Sequence, residues 1–552
     1  MSASPPRAAR AGSTLLVTLF TLSALSILAA YTLMRAAPNV HIAHQNASWQ
    51  EARVAAEAGI DAAMNDLLLN ATGFAPGAWT GWQEDKTSEP DEPGSLIGGV
   101  LQTASGVVKS LKSLNVLGVL QVVSQIAEAT LHQGSSAGAA SPVISTKSLY
   151  LDNVRVSAAR GLQAAADIQL WALEPASNPN TRWFRIRSMG TCAMPPTAYR
   201  PPANLDVPLR RFSLRQIRPS LQKDDVGNAT TVPLPNISRT VEVLVQPILS
   251  FELALWTDGR LTLPNTGNWD IDSFDSSDPA KSAPGGLYPG RGSPLVQANG
   301  HVASSAPPPP ADAPPQAAII ANGTKIHGAV ATNGGDDPTT AEHENVSGAG
   351  GIEPRRVHDD FSRNMIPLLR PEGEFMSSPP GDIFIAGPVS APSIYSIHGD
   401  QREINLYSSL PLGQTAVVIL IDGDLDLTAP LVVPPNVIAV LYVRGNITFR
   451  GAVNSGTGSS NRAARLLIFG DGHGPSRQTL QALGDFPICA AFYGPNTDVV
   501  LDGRVHWIGS LNALSLRVAT AGNGGIHYDE ALATLGPTIG FRIARYIEDV
   551  RR

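Results

Sequence analysis

The feature that most constrains this chain is an uncharged, apolar run close to its N-terminus. The run covers the 24 residues from Ala11 to Met34, and arginines flank it at Arg10 and Arg35. At about 1.5 Å per residue, a helix of this length is roughly 36 Å long, enough to cross the ~30 Å hydrocarbon layer of a membrane. The basic residues before the run predict a cytoplasmic leader, with the rest of the chain exported. The sequence therefore predicts one N-terminal transmembrane helix.

A second helical pattern follows the apolar run, and only one of its faces is apolar. Residues at steps of three or four share that face: Trp49, Ala52, Ala56, Ile60, Met64 and Leu67. Charged residues such as Glu51, Arg53 and Glu57 lie off it, which is typical of a helix that packs on one side. The two patterns predict a single stalk helix. A cleaved signal peptide, the competing interpretation, would have a shorter apolar core followed by a small-residue cleavage site.

Two stretches of this N-terminal region carry recognisable motifs. The leader ends RAARAG at Gly12, directly before Ser13 and the apolar helix, and resembles a prepilin-peptidase site. The stretch QEARVAAEAGIDAAMNDLL, from Gln50, is similar to the AxxxAEAGL segment of PilX-type minor pilins and related pseudopilins. The fifth residue after Gly12 is Val17, where major pilins have a glutamate. This departure favours a minor pilin over a filament-forming subunit.

The resemblance implies a layout and a set of partners. Residues 1–12 would be a leader that prepilin peptidase removes, and residues 13–70 a stalk helix held in the bacterial inner membrane. That helix would dock laterally against other pilins or pseudopilins. Its membrane part contains Thr14, Leu15, Leu16, Val17, Leu19, Phe20, Leu22, Leu25, Ile27 and Leu28. The alternative is an ordinary signal anchor in which the glycine at position 12 is accidental.

The middle of the chain changes from helical to strand patterns. Residues 96–132 keep helical spacing and predict a helical insertion, in which Lys109 and Glu128 argue against a second membrane span. Four alternating segments then predict an antiparallel sheet: SLYLDNVRVSA, DIQLWAL, RWFRIRSMGTC and TVEVLVQP. We therefore expect residues 71–250 to form a pilin-like α+β head whose sheet packs on the stalk helix.

After the head, a short motif of glycine followed by alternating polar and apolar residues recurs. It stands at Gly259–Leu263, Gly423–Leu427 and Gly445–Phe449, and the last two copies are 22 residues apart. That spacing suits successive coils of a β-solenoid, in which glycine fits the tight corners. We expect residues 251–535 to form a mainly β, solenoid or β-helix-like domain with a Pro-rich external loop at 303–316.

Several blocks in this half also resemble the distal domain of PilX-like proteins. They are LWTDGRLTL with WDIDSFDSSD, FYGPNTDVVL with WIGSL, and the final block IHYDEAL. Residues 536–552 are predicted to form a C-terminal helix. The overall expectation is an α+β fold that becomes mainly β.

Charge and cysteine content limit the functional classes. The 552 residues carry a formal net charge of -7, which provides no basic footprint for nucleic acid. The two cysteines, Cys192 and Cys489, are either one long-range disulfide in an oxidising compartment or two buried thiols.

Two groups of aspartates are candidates for a metal site or an enzyme. Four carboxylates could gather around a Ca²⁺, although they lack the EF-hand glycine and terminal glutamate: Asp270, Asp272, Asp275 and Asp278. Three others alternate on a strand and could supply the acids of glycoside hydrolysis: Asp422, Asp424 and Asp426. Solvated turns and an exposed strand face explain both groups more simply.

No nucleophile or cofactor motif stands in a supporting context. His527, Tyr528 and Asp529 are adjacent, but a strand would point neighbours to opposite sides, so they make a poor catalytic triad. Together with the resemblance, the sequence thus predicts a non-enzymatic minor pilin or pseudopilin with no cofactor, which presents its β domain for assembly or for adhesion to an unidentified surface ligand. A membrane-anchored β-helix enzyme acting on carbohydrate and a static envelope scaffold remain as alternatives.

Overall fold

The computed structural model describes the chain in segments. They are residues 9–72, 82–84, 143–157, 163–174, 183–193, 236–264, 268–307, 317–334, 346–348, 351–353, 355–366, 376–377, 382–385, 392–408, 415–470, 476–519 and 522–548. The helical insertion predicted at residues 96–132 and the Pro-rich residues 308–316 lie outside these segments. Residues 303 and 304, predicted as part of the Pro-rich loop, instead belong to a strand.

The described residues form one α-helix, two 3-10 helices and thirty strands. The helix α1 spans Ala9–Thr72, and the 3-10 helices span Ala463–Arg465 and Glu530–Thr534. The strands are β1 (Gln83–Glu84), β2 (Val143–Ser157), β3 (Gln163–Glu174), β4 (Trp183–Ala193), β5 (Asn236–Leu249), β6 (Leu255–Thr257), β7 (Leu261–Thr262), β8 (Asp270–Phe274), β9 (Val302–Ser304), β10 (Ile319–Ile320), β11 (Lys325–Ile326), β12 (Val330–Ala331), β13 (Val346–Ser347), β14 (Val357–His358), β15 (Met376–Ser377), β16 (Asp382–Ile385), β17 (Ser393–Ile397), β18 (Asn405–Ser408), β19 (Thr415–Ile421), β20 (Leu425–Leu427), β21 (Val437–Val443), β22 (Ile447–Phe449), β23 (Leu466–Gly470), β24 (Gln478–Leu483), β25 (Pro487–Cys489), β26 (Ala491–Asp502), β27 (His506–Ile508), β28 (Leu511–Val518), β29 (Gly525–Asp529) and β30 (Thr538–Glu548). The chain is therefore mostly β.

The head is an antiparallel sheet in the order β1-β2-β3-β4-β5-β30, with α1 packed on one face. The four strands predicted from alternating sequence are β2 to β5, and their pairing is antiparallel as expected. Their inward residues, including Ile168, Ile186 and Val243, form one cluster with Ile60 and Leu67 of α1. This cluster is the core of the head.

Small residues let the helix lie close against the sheet. Ala52 and Ala56 of α1 meet strand β4 at Gly190, where an added Cβ would clash with the backbone of both alanines. A Cβ on Gly59 would likewise clash with Ser188. The AEAG stretch of α1 is therefore explained by close backbone packing, which only small side chains permit.

The last strand of the head comes from the far end of the chain. Residues 538–548 form β30, which pairs antiparallel with β5, so the predicted C-terminal helix at 536–552 is wrong. The segment TIGFRIARYIE contains many β-branched and aromatic residues, and the edge of β5 provides the hydrogen-bonding partners that select the strand. All the strands from β6 to β29 are thus inserted between two neighbouring strands of the head sheet.

The inserted residues form a stack of parallel strands, here named the β body (residues 255–529). Its strands pair on three faces, and each face carries a ladder of apolar residues, which are all buried except the partly buried Ile352. The first ladder is Ile419, Leu441, Ile468, Phe492, Leu511, Leu255, Val302, Val330 and Val357. The second is Leu425, Ile447, Leu480, Val499, Leu516, Leu261, Ile319 and Val346. The third is Leu431, Val453, Ile488, Trp507, Ile526, Ile271, Ile326 and Ile352.

Glycine and aspartate or asparagine form a corner between two of these faces. An added Cβ on Gly423 would clash with the backbone of Gly399, and one on Gly445 would clash with the carbonyl oxygen of Gly423. The next residue continues the contact, because Asp424 Oδ1 accepts a hydrogen bond from the backbone N–H of Asn446 at 2.7 Å. The recurring motif of the sequence is thus a stacking corner, and its two copies pair 22 residues apart as Leu425 and Ile447.

The order of the ladders shows that the chain enters the β body in the middle of the stack. Strands β6 to β14 (the entry half, residues 255–358) lead to one end, and strands β15 to β29 (the return half, residues 376–529) begin at the other end. The two halves meet where β28 pairs with β6 and β7, and where β29 pairs with β8. We name this non-covalent junction the seam.

Both connections to the head also lie at the seam. The backbone N–H of Ser250, just before β6, donates to the carbonyl oxygen of Pro537, just before β30, at 3.1 Å. Asn512 of the return half is buried, and its Nδ2 bonds the carbonyl oxygen of Ser250. Tyr528 donates to the carbonyl oxygen of Phe251 at 2.9 Å. Side chains of the return half therefore hold the segment that leads from the head into the β body.

Candidate functional site

The first candidate site is the exposed apolar part of α1. The described large side chains from Val17 to Met34 are between 58% and 74% exposed although they are apolar: Val17, Leu19, Phe20, Leu22, Leu25, Ile27, Leu28, Tyr31 and Met34. We name residues 17–34 the apolar segment. Most exposed apolar residues in a soluble protein stand singly, whereas a continuous patch marks an interaction surface. The geometry therefore provides a helical surface that needs an apolar partner.

Three hydroxyl groups of the apolar segment bond to their own helix. Thr21 donates to the carbonyl oxygen of Val17, Ser23 to that of Leu19 and Thr32 to that of Leu28, at 2.9 to 3.0 Å. Such internal bonds remove the need for water at these groups. Within the described part of the chain, no helix is both long and apolar enough to cross a membrane.

The predicted processing site lies at the start of the same helix. α1 begins at Ala9, so Gly12 and Ser13 are in its first two turns, and the helix extends beyond the predicted 13–70 at both ends. The side chains of Thr14, Leu15 and Leu16 are outside the described residues.

The second half of α1 differs from the apolar segment, because the sheet of the head covers its apolar face. Ala52, Ala56, Ile60 and Leu67 are buried as the pattern predicted, whereas Trp49 is 39% exposed and lies under the guanidinium of Arg239 at 4.6 Å. One continuous helix thus has an uncovered apolar part and a docked part.

The four aspartates predicted as a possible metal site do not converge. Asp270 pairs with Arg291 at 2.6 Å, and Asp272 bonds to His527 and Tyr288. Asp275 and Asp278 instead cap their own turns, where their carboxylates accept from the backbone of Ser277 and Ala280. The described residues contain no group of three or more acidic, histidine or cysteine side chains arranged for a metal ion. Salt bridges and turns use these oxygens, so the described geometry gives the metal prediction no support.

The three aspartates considered for glycoside hydrolysis serve the stacking of coils. Asp422 pairs with His398 at 2.8 Å, and Asp426 pairs with Arg450 at 2.9 Å. Asp424 caps the next corner, as described above. Their carboxylates are engaged with three different partners along the corner, so this part of the strand does not present a facing acid pair.

The two cysteines form no disulfide, so that alternative of the sequence prediction is wrong. Cys192 is buried beneath α1 in the head, in a cluster with Ala52, Ala55 and Ala164. Cys489 is buried on the third face of the β body, where burial raises the pKa of its thiol to about 12. Both therefore behave as small apolar residues, the other alternative left open by the sequence.

A second candidate site is a buried polar cluster at the seam. His527 of β29 is fully buried, and its Nδ1 lies 2.7 Å from Asp272 Oδ1 of β8, across the seam. Its Nε2 lies 3.0 Å from Nδ1 of His506 on β27. Tyr288 stacks on the His527 ring at a centroid distance of 4.0 Å and donates to Asp272 Oδ2 at 2.8 Å. We name these four side chains the seam cluster.

The seam cluster was missed by motif reasoning on the sequence. The sequence pattern places His527 only beside its chain neighbours, and in the structure Tyr528 bonds a different partner, the carbonyl oxygen of Phe251. One sequence feature pointed to the cluster. The two blocks WDIDSFDSSD and IHYDEAL, both compared above with PilX-like proteins, each combine an apolar strand pattern with titratable residues. Their residues pair directly, since Asp272 is the register partner of His527.

Asp529 is a further titratable residue at the seam. Its carboxylate is fully buried, and one oxygen accepts from the backbone N–H groups of Ser276 and Ala531 at 3.0 and 3.2 Å. The other oxygen, Oδ2, is buried without a hydrogen-bond partner. Burial raises the pKa of Asp529 to about 6.

Comparison with known proteins gives limited matches. Residues 403–535 match DUF7305, a domain of unknown function, which covers part of the return half and the seam. No curated protein matches the chain. Among solved structures, the chain is similar to the competence-associated pilin ComZ from Thermus thermophilus, with 10% identity over 84% of this chain and 99% of that one, at a TM-score of 0.25.

Proposed function

We propose that this chain is a non-enzymatic minor pilin- or pseudopilin-like protein of a type IV pilus or a type II secretion-like system. The single observation that carries the proposal is the continuity of α1. One helix of 64 residues, about 96 Å at 1.5 Å per residue, is apolar and uncovered at one end and docked on a head sheet at the other. A helix of this kind supports lateral packing against similar helices.

The proposal includes a membrane stage for the apolar segment. Before assembly, residues 11–34 would be held in the inner membrane, since lipid covers such a surface as well as other helices do. The self-bonded hydroxyl groups of Thr21, Ser23 and Thr32 support this placement, because these three donors are then satisfied within the helix. Prepilin peptidase would remove the leader between Gly12 and Ser13.

The β body would be the displayed part of the protein. Its ladders form a closed apolar core, and the aspartates considered for catalysis hold its own corners and salt bridges. Presentation of a large, β-helix-like surface therefore fits better than carbohydrate chemistry. We propose that it contributes to assembly or to adhesion to a surface ligand.

Co-expression with a prepilin peptidase tests the pilin assignment. We expect N-terminal sequencing to find Ser13 as the first residue of the processed chain. An unprocessed start, or cleavage far from Gly12, would reject the assignment in favour of a plain anchor.

A cross-linking experiment separates a filament subunit from a static scaffold. The two natural cysteines are buried, so Leu28→Cys supplies the reactive thiol on the apolar segment. We expect it to cross-link to the helices of co-expressed pilins or pseudopilins. Val54→Cys, on the docked part of α1 but 51% exposed, is the matched control for nonspecific reaction. Equal yields from the two variants would favour the scaffold.

A further inference from the structure

The uncovered part of α1 and the β body leave the head at opposite ends of its sheet. The docked part of α1 begins where the Trp49 ring lies against the guanidinium of Arg239, near the start of β5. Further along α1, Gly59 lies against Ser188, and Ser188 is the register partner of Val241. The helix therefore advances in the same direction as β5, and its uncovered part extends away from the sheet beyond the start of that strand.

The β body is attached at the other end of β5. That strand ends at Leu249, which is the register partner of Thr538, the first residue of β30. Leu249 lies ten residues after Arg239, about 33 Å at 3.3 Å per residue. A pull that separates the β body from the uncovered part of α1 therefore acts mainly along the strands of the head.

The hydrogen bonds that resist such a lengthwise pull are loaded together. In an antiparallel pair these bonds are perpendicular to the strands, so strands that slide past each other must break many of them at once. β4 and β5 pair without interruption over ten residues, from Phe184 with Val245 to Ala193 with Asn236. A pull that lifts one strand from its end would instead break the pairs one after another. The head is therefore expected to resist a lengthwise pull better than peeling.

Strands β5 and β30 receive the load together. The backbone N–H of Ser250 donates to the carbonyl oxygen of Pro537 at 3.1 Å, just beyond the paired ends of the two strands. Asn512 and Tyr528 of the return half bond the backbone of the chain that enters the β body. Force on either half of the β body therefore reaches both strands, and β30 is not pulled away from the edge of β5.

The far end of β30 is connected to α1. The hydroxyl of Tyr546 donates to Glu57 Oε1 at 3.0 Å, and Glu548 Oε2 lies 3.6 Å from Arg53 Nη1. Arg53 also bonds Glu57 at 3.0 Å. Exposed pairs of this kind add little to the free energy of unfolding. They do, however, join β30 to the helix at the end of the sheet where the uncovered part of α1 leaves, so this strand has its own connection to α1.

We propose that the head is a tension link, loaded in shear, between the anchored helix and a β body held by its ligand. The biological meaning of this link rests on the proposed function, in which α1 is anchored and the β body is displayed. The mechanical arrangement belongs to the described fold and does not depend on that assignment. The head holds under a pull along its strands and yields to a pull on the free end of β30.

Single-molecule force spectroscopy on the full, detergent-solubilised chain compares the two directions of pull. Both natural cysteines are buried, so engineered cysteines carry the handles. The pair Leu28→Cys and Val432→Cys, both at exposed positions, pulls lengthwise between α1 and the β body. The pair Leu28→Cys and Arg545→Cys peels β30 from β5, starting near the C-terminal end of β30.

We expect the head to rupture at a force at least about twofold higher in the lengthwise pull, at the same pulling speed. The length of chain released identifies the rupture of the head, whichever part of the molecule unfolds first. Equal forces in the two directions, or a lower force in the lengthwise pull, would overturn the proposal. If Arg545→Cys does not fold, Ile543→Cys, which is 46% exposed on the same strand, supplies the second handle.

A change of handle within the β body tests whether the two strands share the load. Lys325→Cys, exposed on β11 of the entry half, replaces Val432→Cys of the return half. We expect the same rupture force for the head, because both halves pull on Ser250 and Pro537 together. A force that drops to the peeling value for one half would contradict the proposal. Processing at Gly12 tests the pilin assignment separately, so either result can fail without the other.

Discussion

The head and the β body hold their elements together in different ways. In the head, one helix meets one sheet where backbone approaches backbone, at Gly190 and at the alanines of α1. In the β body, many equivalent ladder residues share the core, and each coil adds only one rung to each ladder. The stability of the head therefore depends on a few positions where no extra atom fits, whereas the stability of the β body is spread over many repeated contacts.

The largest expected effect is a single methyl group added to the head. Gly190→Ala places a Cβ against the backbone of Ala52 and Ala56, which cannot rotate away, so we expect a loss of about 3 kcal/mol in the free energy of unfolding. Denaturant unfolding followed by exchange of the head amides measures it. The control is Gly540→Ala in the same sheet, where the added Cβ would meet Ile248 at an ordinary 3.6 Å. Similar losses for both variants would contradict the importance of the helix contact.

A single methyl group removed from the β body should have a smaller effect. Ile447→Val truncates a fully buried ladder residue, and we expect a loss of about 1 kcal/mol, confined to neighbouring coils. Thr448→Ser removes the same group from the adjacent, partly exposed residue and should change the free energy of unfolding much less. Exchange that rises across the whole β body in Ile447→Val would show that the coils are not locally independent.

The two regions should also differ in their response to pH. Because the folded pKa of Asp529 is raised to about 6, the folded β body binds more protons than the unfolded chain between the two pKa values. This residue therefore adds stability as pH falls from 7.5 to 5, on the order of 1 kcal/mol. Asp529→Asn should remove that increment, as thermal unfolding at both pH values would show. An unchanged pH dependence in the variant would refute the assignment.

The smallest expected effect concerns the corners of the stack. Asp424→Ala removes the acceptor for the backbone N–H of Asn446 and should cost about 0.5 to 1 kcal/mol. Asp426→Ala, two residues further along the chain, breaks only an exposed pair with Arg450 and should cost less than about 0.5 kcal/mol. Chemical denaturation of the two variants ranks these contacts. The reverse ranking would mean that the corner bond is not a stacking device.

Local patterns were enough to predict α1 and strands β2 to β5, because each has a clear apolar period. The fate of residues 538–548 could not be predicted in this way, since β30 is fixed by the edge of β5, about 290 residues earlier in the chain. The paired 22-residue spacing of Leu425 and Ile447 was visible, whereas the joining of Leu511 to Leu255 has no sequence period behind it. Likewise, Asp272 could be seen as acidic but not as the partner of His527.

The insertion of the β body between β5 and β30 has an evolutionary consequence. The outgoing and returning chains touch at Ser250 and Pro537, so the whole insert is attached through two adjacent points. A graft at these points can be lengthened, shortened or exchanged for an unrelated one without moving either flanking strand. The head can thus be regarded as a conserved frame for an exchangeable inserted domain, and descendants could acquire new surfaces while retaining the same head.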